Sequence, residues 1–121
     1  MTKQAFGKAK VPLSPAMRAG DFVFVSGQVP VDADGNIVSG GVKAETDQVI
    51  ANITSVLREA GCELSDVVKT TVWLRDRDDF ADFNEAYGAH FPTDPPARST
   101  AESRLMIDIA VEIEAIAFKP L

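Results

Sequence analysis

The residues of this chain best suited to chemistry are two glutamates and one arginine. Glu112 and Glu114 alternate with apolar residues near the end of the sequence, and Arg98 follows two prolines and an alanine. A carboxylate on a rigid strand can act as a base or orient a water molecule. A guanidinium is always charged, and its planar fork binds a carboxylate through two hydrogen bonds. The same residue types also fit a solvated strand face and a surface arginine, so both interpretations stay open on these residues alone.

Three weaker candidates could line a ligand pocket. Ser26 and Gly27 end an apolar segment, where a glycine would let a ligand approach the backbone closely. A turn after a strand explains the same pair equally well. Asn84 follows Phe83 in a predicted helix and also fits a surface amide. None of the three predicts a site by itself.

Metal and cofactor chemistry has little support in the sequence. One histidine, His90, and one cysteine, Cys62, exclude a multi-histidine metal site, a cysteine-based zinc cluster and an internal disulfide. We predict that His90 ends a helix and that Cys62 is a packed thiol. The sequence contains no nucleophile elbow, phosphate-binding loop, dinucleotide fingerprint or zinc-protease motif. We therefore expect no metal site.

Length and composition are typical of one globular domain. The 121 residues are 45% hydrophobic and 25% charged, and we expect a single domain over residues 1–121. No apolar run of about 20 residues occurs, which argues against a membrane span. Residues 1–10 lack the apolar core of a secretory signal, so we predict a cytoplasmic protein. The net charge of −6 and the scattered basic residues argue against nucleic-acid binding.

Hydrophobic periodicity predicts the elements that must position these residues. Strands are predicted over residues 21–28, 67–74, 97–103 and 107–118. A helix is predicted over residues 42–60, where apolar residues recur at helical spacing and Gly61 follows as a C-terminal cap. A second helix is predicted after Asp76, whose carboxylate can cap it. Its shared apolar face contains Phe80, Phe83 and Tyr87.

This order of elements predicts an α+β fold in which two helices cover one face of a mixed sheet. In the last strand, Glu112 and Glu114 lie on one face and the apolar residues between them on the other. A chain of this size has no third layer for the second sheet face. We therefore expect oligomerisation through that face.

Several segments resemble the Rid family, the reactive-intermediate deaminases also called the YjgF family. The similarity runs from about Pro12 to the C-terminus and is carried by residues 18–30, 67–74, 80–87, 96–100 and 111–117. The most specific pieces, in this order, are Ser26-Gly27-Gln28, Pro96-Ala97-Arg98-Ser99 and Glu112-Ile113-Glu114-Ala115.

The resemblance implies a chorismate-mutase-like fold and a homotrimer whose sheets form a central barrel, with three sites in clefts between subunits. It implies hydrolytic deamination of reactive 2-imino and enamine acids to 2-keto acids and ammonia. Examples are 2-aminoacrylate, 2-iminopropanoate and 2-iminobutanoate. The C=N bond is already electrophilic, so the resemblance implies no cofactor.

The family's site residues map onto matching positions of this chain. The resemblance implies that Arg98 binds the substrate carboxylate and that Glu112 holds the attacking water. It implies that Thr100 contributes backbone contacts near that water. Further pocket positions are matched by Ser26, Gly27 and Asn84.

Two positions depart from the family pattern. Leu13 follows Pro12 where archetypal members have a tyrosine that reaches into the pocket, and Thr100 stands where they often have a cysteine. The turn over residues 105–108 is also one residue shorter. Arg98 and Glu112 are kept, so these departures bear on substrate range and rate.

Other functions remain open on the sequence. A non-catalytic trimer that binds a small carboxylate metabolite is favoured by the missing tyrosine hydroxyl, and it would bind a keto acid without turnover. An endoribonuclease or translation inhibitor, a role also attached to the family, is opposed by the net charge of −6 and the lack of a basic stripe. A holdase chaperone would need exposed apolar patches, which the sequence does not indicate.

Overall fold

A computed structural model describes residues 2–121 of the chain. Within that range the elements, in chain order, are β1 (Gln4–Phe6), β2 (Ala16–Ala19), β3 (Phe22–Gln28), α1 (Gly41–Glu59), β4 (Val67–Leu74), α2 (Phe80–His90), β5 (Ala97–Glu102) and β6 (Val111–Phe118). Short 3₁₀ turns precede β4 and α2. No helix in this part of the chain is both long and apolar enough to cross a membrane.

The strands form one mixed sheet in the order β1-β2-β3-β6-β4-β5. The pair β4 and β5 is parallel, and α2 makes the crossover between them. The other neighbouring strands are antiparallel. The predicted α+β fold, with two helices against a mixed sheet, is confirmed.

The core lies between the helices and one face of the sheet. Along β6, burial alternates strictly, so every second side chain faces α1 and α2. The inward residues of β6 are Val111, Ile113, Ala115 and Ala117, and they meet Val49, Ile53 and Leu57 of α1 and Phe83 of α2 in the buried cluster. We call the opposite face of the sheet the outer face.

The outer face is apolar at one end and carries no helix within residues 2–121. Phe22 and Phe24 of β3 and Phe118 of β6 are each 42–45% exposed there, and the rings of Phe22 and Phe118 meet edge to face at 5.3 Å. A contiguous apolar surface of this kind is typical of an interaction site.

Two sequence predictions were wrong at element ends. Residues 107–110 are not part of a strand, and β6 begins only at Val111. The backbone turns tightly there, because the N–H of Ile109 donates to the carbonyl of Ile107 at 3.0 Å. Asp76 caps the 3₁₀ turn before α2 by accepting from the N–H of Asp78, and α2 itself begins four residues later.

Candidate active site

Arg98 lies on the edge strand β5 and points towards the helices. Its register partner on β4 is Thr70, a buried residue whose hydroxyl is hydrogen-bonded to the Tyr87 hydroxyl of α2 at 2.7 Å. The Arg98 guanidinium carbon lies 5.7, 5.4 and 5.0 Å from the ring centroids of Phe80, Phe83 and Tyr87. Three aromatic rings therefore stabilise its charge through cation–π contacts.

Among residues 2–121, the Arg98 guanidinium has no protein acceptor. Within residues 2–121, none of the ion pairs involves Arg98, and no side-chain hydrogen bond uses its N–H groups. The residue is half-buried. A partly buried cation without a counter-ion is costly, and a bound anion would remove that cost. The geometry is therefore suited to a small anion such as a carboxylate.

Two further polar atoms beside Arg98 lack partners. The Asn84 Oδ1 and the Thr100 Oγ1 are buried and form no hydrogen bond in the described structure. Thr100 is two residues beyond Arg98 on the same face of β5, and Asn84 lies on α2 between Phe80 and Tyr87. Buried polar groups are nearly always satisfied, so two orphans next to a free guanidinium indicate a ligand. We call Arg98, Asn84 and Thr100 the arginine cluster.

The Glu112 side chain points to the outer face of the sheet. Val111 and Ile113 on either side of it are buried against the helices, and its register partner on β4 is Trp73. The carboxylate borders a cavity of about 160 Å³ at the sheet end. That cavity is lined by Trp73, Glu112 and the segment formed by Ser103, Arg104, Leu105 and Met106.

Gly27 leaves room for the Glu112 carboxylate. The register of β3 against β6 shifts between Val25 and Gln28, which places Gly27 in a bulge. A Cβ built at Gly27 would overlap the Glu112 Oε2 and would lie 3.2 Å from its Cδ. Only glycine fits this position without moving the carboxylate. We call Glu112, Gly27 and Trp73 the glutamate cluster.

Ser26 ties the bulge to the chain before β2. Its hydroxyl donates to the Ser14 carbonyl at 2.7 Å, and its backbone N–H donates to the Pro15 carbonyl at 2.9 Å. The hydroxyl hydrogen is thus already in use. Ser26 therefore fixes the backbone beside Gly27. Only the lone pairs of the Ser26 hydroxyl remain available to a ligand.

The environment of Glu112 makes it a stronger base. Burial raises the pKa of the Glu112 carboxyl above its ordinary value, and the negative charge of Glu114 on the same face raises it further. A carboxylate with a raised pKa accepts a proton from water more readily. Glu112 is therefore suited to orienting and deprotonating a water molecule.

One chain does not bring Arg98 and Glu112 to the same ligand. Arg98 points from β5 towards the helices, Glu112 points from β6 to the outer face, and β4 lies between the two strands. The predicted site residues therefore fall into two groups. Asn84 and Thr100 accompany Arg98, and Ser26 and Gly27 accompany Glu112.

Sequence reasoning missed Glu45, which fixes the beginning of β6. Glu45 is only 8% exposed, and its Oε1 accepts the backbone N–H of Ala110 at 2.7 Å. The carbonyl of Ala110 in turn accepts from the N–H of Arg75 at 3.0 Å. Hydrogen bonds therefore fix both the backbone N–H and the carbonyl of Ala110, which lies two residues before Glu112. The only sequence signal was a charged residue inside the apolar stripe of α1.

Replacing Gly27 with alanine is expected to move the Glu112 carboxylate without unfolding the protein. The added methyl collides chiefly with the flexible end of the glutamate side chain, which can swing into solvent. The pKa of Glu112, followed by carbon NMR, should then fall towards its ordinary value. Gly88→Ala is the matched control because nothing lies within 4 Å of its new methyl. An unchanged Glu112 titration in Gly27→Ala would contradict this contact.

Comparison with known families finds a match over nearly the whole chain. A family model described as Endoribonuclease L-PSP matches residues 2–119. A RutC family protein from Pyrococcus abyssi is 50% identical over 110 residues, which cover 89% of this chain and 87% of the relative.

Solved structures share the fold over nearly the whole chain. YyfA of Yersinia pestis, a protein of the conserved Rid family, superposes with a TM-score of 0.92 at 34% identity, covering 97% of this chain and 99% of that one. The YjgF gene product of E. coli superposes with a TM-score of 0.90 at 34% identity, covering 95% of this chain and 98% of that one.

Proposed function

The chain belongs to the Endoribonuclease L-PSP family, which includes the Rid and YjgF proteins, and from that premise we propose that it hydrolyses 2-imino acids to 2-keto acids and ammonia. The observation that supports this most directly is the free Arg98 guanidinium, held by three aromatic rings beside two unpartnered polar atoms. It provides a carboxylate site with no competing protein anion.

Arg98 fixes the carboxylate of the imino acid and so places the adjacent C=N carbon. A bidentate guanidinium–carboxylate pair sets both position and orientation of a planar ligand. Orienting the reacting atom removes much of the entropic barrier of a bimolecular step. The unpartnered Asn84 Oδ1 is a ready acceptor for the N–H of the imine.

Glu112 orients the attacking water. The water oxygen bonds to the carbon of the imine protonated on nitrogen, the C=N electron pair moves to that nitrogen, and a water proton passes to the carboxylate, which returns it to the nitrogen in the next step. The resulting carbinolamine receives a proton on nitrogen and expels ammonia as its hydroxyl loses a proton, which leaves the 2-keto acid. Enamines become substrates of this reaction once protonation at carbon has converted them to the imine.

Two copies of the chain are needed to assemble this site. The arginine cluster and the glutamate cluster lie on opposite sides of one sheet, so the partner subunit's Glu112 must complete the site of Arg98. The exposed aromatic end of the outer face supplies an apolar surface for that contact. A closed ring of copies lets each copy give one cluster to each neighbour, and the family resemblance implies that the ring is a homotrimer.

An imine-trapping assay tests the proposed function. An amino-acid oxidase generates 2-imino acids in place, and semicarbazide traps whatever has not yet been hydrolysed. The protein should lower the trapped fraction in proportion to its concentration, and added 2-keto acid should compete. A trapped fraction that is independent of the protein, across several imines, would refute imine hydrolysis.

The pH profile of kcat/KM should have an acid limb set by the pKa of Glu112. Only the ionised carboxylate accepts a proton, and its pKa is raised, so kcat/KM should climb as pH rises through that pKa and then level off. Glu114→Gln removes one cause of the raised pKa, so its acid limb should move to lower pH. A limb that does not move would exclude Glu112 as the titrating group.

A binding protein without turnover is the second candidate. Leu13 is 49% exposed and precedes Ser14, whose carbonyl accepts the Ser26 hydroxyl beside the glutamate cluster. No hydroxyl therefore enters the site from this position. Retention of bound keto acid with no loss of trapped imine would identify this role. Nuclease activity is opposed by the net charge of −6, whatever the family description.

A further inference from the structure

Residues 103–110 connect β5 to β6 and form one wall of the cavity beside Glu112. We call this segment the strap. It contains no helix or strand, so contacts at its two ends must set its shape. The first of these contacts holds Ser103, whose backbone N–H donates to the Leu74 carbonyl of β4 at 2.8 Å. The strap residues that line the cavity are Ser103, Arg104, Leu105 and Met106. Movement of the strap would therefore change the surroundings of the Glu112 carboxylate.

Two side chains anchor the other end of the strap, and they differ in strength. The Asp108 carboxylate pairs with the Arg75 guanidinium, but the Asp108 side chain is 94% exposed, and exposed ion pairs stabilise a structure little. The Ala110 N–H is buried and donates to the Glu45 Oε1 at 2.7 Å. A hydrogen bond to a carboxylate is stronger than one to a neutral acceptor, and a buried N–H that loses its acceptor is costly. Glu45 is therefore the main side-chain anchor of the strap.

We propose that Glu45 is a positioning residue, which holds the strap through Ala110 and so keeps the Glu112 carboxylate half-buried and oriented. Glu45 lies on α1, on the opposite side of the sheet from Glu112, and acts on it only through the backbone. Burial is the main cause of the raised pKa of Glu112, so a strap that moves away lowers that pKa. Arg104 at the cavity is exposed, its charge is screened, and the loss of burial decides the sign. Only the effect on kcat rests on the proposed function.

Three variants of Glu45 separate its hydrogen bond from its charge. Glu45→Gln loses the charge and keeps an oxygen that accepts from Ala110. Glu45→Met has a similar length and no such acceptor, and Glu45→Asp keeps the charge on a side chain that is too short to reach. In the Met and Asp variants, amide hydrogen exchange at Ala110 should be at least about tenfold faster. In the same two variants the pKa of Glu112, followed by carbon NMR, should fall towards its ordinary value. Glu45→Gln should leave both quantities close to those of the wild type.

Thr46→Val is the matched control. It removes a buried hydrogen bond next to Glu45, from the Thr46 hydroxyl to the Val42 carbonyl at 2.7 Å, and that bond stays within α1. Exchange at Ala110 and the pKa of Glu112 should both remain as in the wild type. The proposal is overturned if exchange at Ala110 becomes faster while the pKa of Glu112 does not change. An equal fall of this pKa in Glu45→Gln would also overturn it, because the effect would then come from the charge of Glu45.

Imine hydrolysis gives an independent readout. Glu45→Met should lower kcat about tenfold to 100-fold, because a base that is no longer held in place orients the water poorly. KM should stay within about twofold of the wild-type value, since the arginine cluster is untouched. A rise in KM with an unchanged kcat would contradict a role in positioning Glu112. If the wild-type protein hydrolyses no imine, the proposed function is refuted, and exchange at Ala110 and the titration of Glu112 still decide the role of Glu45.

Discussion

Replacing Arg98 with alanine is expected to lower kcat/KM for 2-imino acid hydrolysis by about 100-fold to 1,000-fold, the loss typical of a half-buried charge pair with its hydrogen bonds. The variant keeps the apolar walls but loses the only free cation of the arginine cluster. The imine-trapping assay measures the effect. KM should rise and kcat should fall, because the same contact binds and orients the substrate.

The loss should not come from unfolding. Three cation–π contacts disappear with the guanidinium, but each is worth about 1 kcal/mol or less at a partly exposed site. Thermal unfolding should therefore remain cooperative. Arg58→Ala is the matched control, since Arg58 is an exposed arginine of α1 whose Glu63 contact spans 3.9 Å. Full imine hydrolysis by the Arg98→Ala protein would remove Arg98 from the mechanism.

Arg98→Lys separates charge from geometry. Lysine keeps the positive charge but offers no planar fork for two parallel hydrogen bonds. We expect an activity between wild type and alanine, with the larger part of the loss remaining. An activity equal to wild type would show that a point charge is enough.

The sequence predicted the face of a residue within one strand better than the position of that strand relative to the others. The period of two along residues 111–117 correctly placed Glu112 and Glu114 on one face, because alternation is a local property of a strand. The face of Arg98 depends on its pairing with Thr70, a contact made only after α2 has crossed over the sheet. No local pattern contains that information, so the opposite faces of Arg98 and Glu112 became visible only in the fold.

Long-range contacts also explain the errors at element ends. Residues 107–110 have the apolar alternation of a strand, yet the Glu45 side chain takes the backbone N–H of Ala110 that a sheet neighbour would otherwise use. The ladder with β4 therefore ends at the bond from the Arg75 N–H to the Ala110 carbonyl. Strands β1 and β2 have three and four residues, too few for a period to show. By contrast, α1 spans five turns of regular apolar spacing and was predicted to within one residue at each end.

Glu112→Gln is expected to lower kcat by about 100-fold to 10,000-fold, the range for loss of a general base. Glutamine keeps the size of the side chain beside Gly27 and removes the proton acceptor. Because burial raises the pKa of Glu112, the charged form is the costly one in the folded protein. The neutral variant should therefore be at least as stable as wild type at pH 7. Activity retained at that pH would exclude Glu112 as the base.

Mixing the two inactive variants distinguishes a site within one chain from a site between chains. If Arg98 of one copy works with the partner subunit's Glu112, co-expressed Arg98→Ala and Glu112→Gln chains form some interfaces in which both groups are intact. In a trimer of random equal composition, about one interface in four has this combination, so roughly a quarter of wild-type activity should return. A site built within one chain regains none, because every chain lacks one of the two groups. Since one sheet separates Arg98 from Glu112, we expect activity to recover. If it does not, a site shared between two chains is refuted. The roles of Arg98 and Glu112 would then be judged from the single variants alone.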